Sequence, residues 1–123
     1  MDNVLNEKWT EVGYTSPIFT RTQVAKLLNC TPLTIANREK KEIYPDPKRS
    51  KTSKHRVYSL QDAFLLQYIT NSQINLSSIT SLLWDMGYTN SKDLLKCLEL
   101  EISLFKSNPL VTNIKDASVV ENG

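Results

Sequence analysis

Apolar positions recur at helical spacing through most of the chain, and each periodic run is bounded by residues suited to start or stop a helix. Val24, Leu27 and Leu28 share one face of a short segment that leaves Arg21 and Lys26 outside, which predicts a helix. Thr20 is placed to cap it, with Gln23 completing a capping-box pattern. Asn29-Cys30 breaks the run and Thr31 caps again. Pro32 then takes the first helical position, where its missing N–H costs nothing. The second helix, PLTIANREKKE, runs to Ile43-Tyr44-Pro45. Two short helices across a tight turn make the helix-turn-helix pattern.

Pro45-Asp46-Pro47 stops the second helix and forces an extended path. Pro47-Lys48-Arg49 and His55-Arg56-Val57-Tyr58, separated by a basic polar turn at 50–54, predict a strand, turn and strand. Ser59 with Asp62 opens a third helix carrying Leu60, Ala63, Phe64, Leu66 and Ile69, and residues 71–75 form a break. A fourth helix starts near Ser77, its Ile79, Leu82, Leu83 and Met86 forming an apolar stripe, with Gly87 at its C-terminal cap. Asn90 or Ser91 caps a fifth. There Leu95, Leu98, Ile102 and Phe105 fall at heptad a and d spacing beside Leu94, until Asn108-Pro109 ends it.

Residues 1–16 lack periodicity and read as an N-terminal extension, although Trp9, Val12 and Tyr14 are able to dock on a neighbouring surface. The expected organisation is therefore an extension at 1–16, a DNA-binding domain at 17–87, a C-terminal helix at 88–107 and a mobile tail at 108–123. No internal repeat is visible.

Composition narrows the classes. At 123 residues the chain suits one modest domain with tails, not a large catalytic fold. No apolar run approaches the roughly 18 residues of a membrane span. The polar, acidic start lacks a signal-peptide core, so a cytoplasmic, nucleoid-associated protein is expected. Cys30 and Cys97 make no disulfide framework and, with His55, have no metal-ligand spacing. With only three glycines there is no phosphate-cradling loop, and no nucleophile has an evident base. The expectation is a non-enzyme with no cofactor and no metal.

The net charge of +2 conceals an uneven distribution. Residues 20–58 carry ten cations against three acids, a local net of +7, while both flanks are acidic. Such a block is the footprint of a polyanion partner, or merely a solvated basic surface.

A B-form major groove is about 12 Å wide and admits one helix. With Ile35 facing the first helix, Thr31, Leu33, Thr34, Asn37, Arg38 and Lys41 remain outward as candidate readers. Asn37 suits adenine and Arg38 guanine, and the methyls of Leu33 or Thr34 suit a thymine. The alternative is that Asn37 and Arg38 only solvate an exposed face. Arg21, Lys48, Arg49, Lys51, Lys54, His55, Arg56 and Tyr58 are the candidates for backbone or minor-groove contact. Against that, Tyr58 is equally suited to the core, and Arg56 to an ion pair with Asp62 or Glu39.

The order of these pieces is similar to a known domain. FTRTQVAKLLNCTPLTIANREKKEI (19–43), YPDPKR (44–49), HRVYSLQDAFLLQYI (55–69) and NLSSITSLLWDMG (75–87) resemble the winged-helix DNA-binding domain of MerR-type transcription regulators. The same domain occurs in excisionase-like and plasmid or phage DNA-binding proteins. Glu42 stands where that family usually has glycine, Lys54-His55 replaces a wing glycine, and Leu33 stands where an arginine is frequent.

The resemblance implies a mainly α fold with a small β-hairpin wing, that is, a winged helix-turn-helix followed by a short C-terminal helix. It also implies sequence-specific binding of double-stranded DNA as a dimer or as adjacent copies on the DNA, with dimerisation through the helix that follows the domain, here Leu95, Leu98, Ile102 and Phe105. Packing of that seam in the chain's own core is the competing expectation. The family's effector domain has no counterpart in this sequence, so no small-molecule effector is expected and repression is the expected mode. Two alternatives stand beside it: a plasmid or phage accessory factor for partition, excision or replication control, and a protein-interaction adaptor.

Overall fold

Side-chain oxygens at the helix starts set the frame. Thr20 accepts from the Gln23 amide while Gln23 Oε1 accepts from the Thr20 amide at 2.8 Å, closing a capping box in front of α2 (Arg21–Leu27). Thr31 caps α3 (Pro32–Lys40) by accepting from the Thr34 amide, with Pro32 at its first position. Ser59 and Asp62 close a second box ahead of α4 (Leu60–Asn71). Each satisfies donors that the first turn of a helix leaves without an internal partner.

The computed structural model describes residues 2–49 and 55–108, with the backbone alone at 2–6 and 48–49. Its remaining elements are α1 (Asp2–Glu11), β1 (Ile18–Phe19), β2 (Lys48–Arg49), β3 (Arg56–Ser59), α5 (Leu76–Asp85) and α6 (Ser91–Lys106). The fold is mainly helical with a small antiparallel sheet in the order β1-β3-β2. Lys48 pairs with Val57 and Arg49 with Arg56, as the strand-turn-strand pattern predicts. The stretch at 18–19, which sequence shows only as extended, adds the other edge by pairing Phe19 with Tyr58. The turn at 50–54, and everything after 108 including the expected mobile tail, lies outside the described residues.

Helix ends follow one device three times. α2, α3 and α5 each close with a residue at positive φ: Asn29 at 56°, Glu42 at 61° and Gly87 at 102°. The next amide reaches back into the helix in each case: Cys30 to the Ala25 carbonyl, Ile43 to Arg38 and Tyr88 to Leu83. This is the Schellman arrangement, which satisfies carbonyls the last turn orphans. Asn tolerates the left-handed region and Gly prefers it, whereas Glu42 occupies it at a cost.

Two expectations are corrected here. Residues 1–16 are no unpatterned extension. Their helix α1 packs on α6, and Trp9 is wholly buried, with Val12 and Tyr14 against the same core. Leu5, Trp9 and Val12 stand at i, i+4 and i+7 in the sequence, a helical spacing too short to stand out among the polar residues around it. The proposed dimer seam is also divided. Leu98 and Phe105 are buried with Leu94 and Cys97 in the single chain's core, so they are not available to a second copy. Ile102 is half-buried, and only Leu95 stands largely exposed. Phe19, Val24, Ile35, Phe64, Ile79, Leu83 and Leu98 thus belong to one core that, among the described residues, draws on all six helices and on β1 and β3.

Candidate nucleic-acid interface

α3 presents two different faces. Ile35 is fully buried and Glu39 nearly so, which seats the helix on its neighbours. On the other side Leu33, Asn37 and Lys41 are exposed in one line at i, i+4 and i+8, with Lys40 exposed alongside and Thr34 half-exposed. Leu33 keeps 69% of its surface, an unusual position for a large apolar side chain. Thr31 is exposed too, but its hydroxyl is engaged in capping.

Arg38 has a partner within the chain. Its Nη1 donates to the Tyr44 hydroxyl at 2.5 Å, and its guanidinium lies 5.5 Å from the centre of the Tyr44 ring. The Tyr44 hydroxyl also hydrogen-bonds Thr70 at 2.5 Å, so the chain runs from α3 to α4. A cation held this way is partly spent on the fold. Of its guanidinium nitrogens it is Nη1 that Tyr44 engages, and the side chain stays half-exposed.

The backbone-contact candidates separate in the same manner. Tyr58 is 2% exposed and donates to Glu39 Oε2 at 2.6 Å, so its hydroxyl is not offered to a phosphate. Burial, and then the bond to Glu39, push its pKa up to about 12. Arg21 donates through Nε to the Tyr58 oxygen at 3.2 Å and through Nη2 to Glu39. Burial works against the Arg21 charge, yet the Tyr58 hydroxyl and Glu39 hold its pKa above the ordinary value. Arg56 Nε lies 3.8 Å from the same carboxylate. Arg21 and Tyr58 are therefore internal partners of Glu39, and Arg56 forms the ion pair weighed as its alternative.

One carboxylate thus ties α2, α3 and β3 together. Sequence reasoning missed it as a hub, although its place four residues after Ile35, on the buried face, was the available signal. His55 is exposed. Lys48 and Arg49 lie in β2, their side chains beyond the description, and Lys51 and Lys54 lie outside the described residues.

The remaining chemistry is quiet. Burial pushes the Cys30 thiol up, with Arg38 opposing, and burial does the same to Cys97. Both are therefore further from the reactive thiolate than a free cysteine. Among the described residues no group of three or more His, Cys, Asp or Glu converges to hold a metal. Nor is any described helix long and apolar enough to cross a membrane. No protein-family model matches the chain, and no curated protein or solved structure matches it either.

Proposed function

We propose that this chain is a sequence-specific double-stranded DNA-binding protein of winged helix-turn-helix type, acting as a small transcriptional repressor. One observation carries the reading: α3 is locked down by Ile35 and Glu39 while Leu33, Asn37 and Lys41 line its exposed side. A rigid rod with one free face of mixed apolar, amide and cationic groups suits a major groove, where such groups read thymine methyls, adenine edges and phosphates. The basic hairpin beside it supplies positioning charge. Self-association, if it accompanies binding, uses Leu95 and the half-buried Ile102, since Leu98 and Phe105 are committed to the core. No catalytic role, cofactor or small-molecule effector is part of the proposal.

The test is selection of bound duplex fragments followed by salt titration of the winning and scrambled sequences. Binding that falls steeply with salt, with Asn37→Ala relaxing preference at one base position by about 1–3 kcal/mol, supports the reading. Absence of duplex binding at any salt refutes it. A footprint ladder over repeated sites would point to an accessory factor that coats DNA. An adaptor is the second reading, because Leu76, Trp84, Leu95 and Leu104 are exposed on α5 and α6; it requires a protein partner and no salt-dependent duplex affinity.

A further inference from the structure

Glu39 is an acid in the most basic part of the chain, and its carboxylate sits where two arginines would otherwise be unpaired. We infer that Glu39 sets how strongly this face binds polyanions: it withholds Arg21 and Arg56 from them while fixing the attitude of α3. The inference rests on the duplex-binding reading for its consequence, but its physical content concerns the two arginines.

The geometry is specific. The Glu39 side chain is 6% exposed, so its charge is stabilised chiefly by what touches it. Oε1 takes Arg21 Nη2 and faces Arg56 Nε at 3.8 Å, while Oε2 takes the Tyr58 hydroxyl at 2.6 Å. Arg21 is shut in, with 21% of its side chain exposed, whereas Arg56 on β3 keeps 38%. Arg56 is therefore the cation that a missing carboxylate would release. Phosphate contacts add affinity for every sequence alike, so an arginine engaged by Glu39 lowers affinity for all polyanions together and leaves the ratio of specific to non-specific binding as it was. A hub that only held the fold together would do something different: its loss would weaken binding to all DNA.

The experiment compares wild type with Glu39→Gln, which keeps the shape and removes the charge. Glu42→Gln is the control, an exposed acid on the same segment whose loss changes the net charge equally. Two polyanions are used, heparin and scrambled duplex, beside the selected duplex. Glu39→Gln is expected to leave heparin at higher salt than Glu42→Gln. The slope of log affinity against log salt should steepen by about one phosphate contact for the selected and the scrambled duplex alike, with the ratio of their affinities unchanged. Adding Arg56→Ala to Glu39→Gln should return the slope to the wild-type value. Equal behaviour of the two glutamine variants, or a uniform loss of affinity with an unchanged slope, overturns the inference. The heparin arm separates it from the functional reading: release of Arg56 there, with no duplex binding by wild type, sinks the DNA assignment and leaves the role of Glu39 standing.

Discussion

The indole N–H of Trp9 donates to Glu101 Oε2 at 2.9 Å, joining the first helix to the last across 92 residues of chain. Gln61 occupies the other carboxylate oxygen at 2.7 Å and also reaches the Glu101 carbonyl at 2.8 Å. The indole meets Tyr88 edge-on at 5.8 Å. A buried carboxylate with only neutral donors among its direct hydrogen bonds depends on keeping each of them. Trp9→Phe keeps most of the apolar bulk but removes one donor, and should cost about 1–3 kcal/mol in urea unfolding. Glu101→Gln keeps an acceptor for one of the two donors and turns an N–H toward the other, so it should cost a comparable amount.

The two leucines of the expected dimer seam provide a contrast. Leu98 is 1% exposed and Leu95 is 50% exposed. Leu98→Ala is expected to lower stability by about 2–5 kcal/mol, the range for opening a buried cavity. Leu95→Ala should stay within about 0.5 kcal/mol of wild type. If self-association occurs, sedimentation should show Leu95→Ala weakening it with the monomer intact.

This pair also shows where sequence reasoning succeeded and where it stopped. Thr20, Thr31, Pro32, Ser59 and Asn90 announce their helices because capping is a local affair. In α6 the heptad spacing matches the buried face at Leu98 and Phe105 and misses it at Leu95 and Ile102. Its buried face is Leu94, Cys97, Leu98, Glu101 and Phe105, and a charged residue on that face disguises it as polar. Glu39 hid on α3 for the same reason. A buried acid becomes visible only when its long-range partners are known, Trp9 and Gln61 for one, Arg21 and Tyr58 for the other. At the candidate interface, Leu33, Asn37 and Lys41 could be placed outward from Ile35 alone. The capture of Arg38 by Tyr44 could not, since it depends on how the chain turns after the helix.

Tyr58 makes a pH dependence expected at the alkaline end. Its folded-state pKa is raised from 10.0 to about 12, so the folded state keeps its proton longer than the unfolded chain does. The stabilisation is complete below pH 10 and is lost as pH climbs through about 12. Tyr58→Phe should lower stability at neutral pH by removing a donor from Glu39, and should flatten the fall between those values. Unfolding midpoints across that window, with tyrosinate absorbance as the second probe, check both. An unchanged slope in Tyr58→Phe would show that other groups govern alkaline unfolding.

Glu42 offers the opposite case, a residue whose replacement should help. It stands at φ 61°, the position where α3 turns back through the Ile43 amide to the Arg38 carbonyl at 2.9 Å. In that conformation an L side chain sits close to the backbone, at a cost of roughly 1–2 kcal/mol. Glycine removes the strain but returns roughly 0.5–1 kcal/mol through the freer unfolded chain. The balance favours Glu42→Gly by about 0.5–1 kcal/mol. The side chain is exposed, so no buried contact opposes the change. Glu42→Ala tests the cause, because alanine deletes the carboxylate without relieving the backbone and should not gain. Equal stabilisation by both variants would assign the effect to removal of an anion from the C-terminal end of α3, where the helix dipole disfavours it, and remove backbone strain from the account.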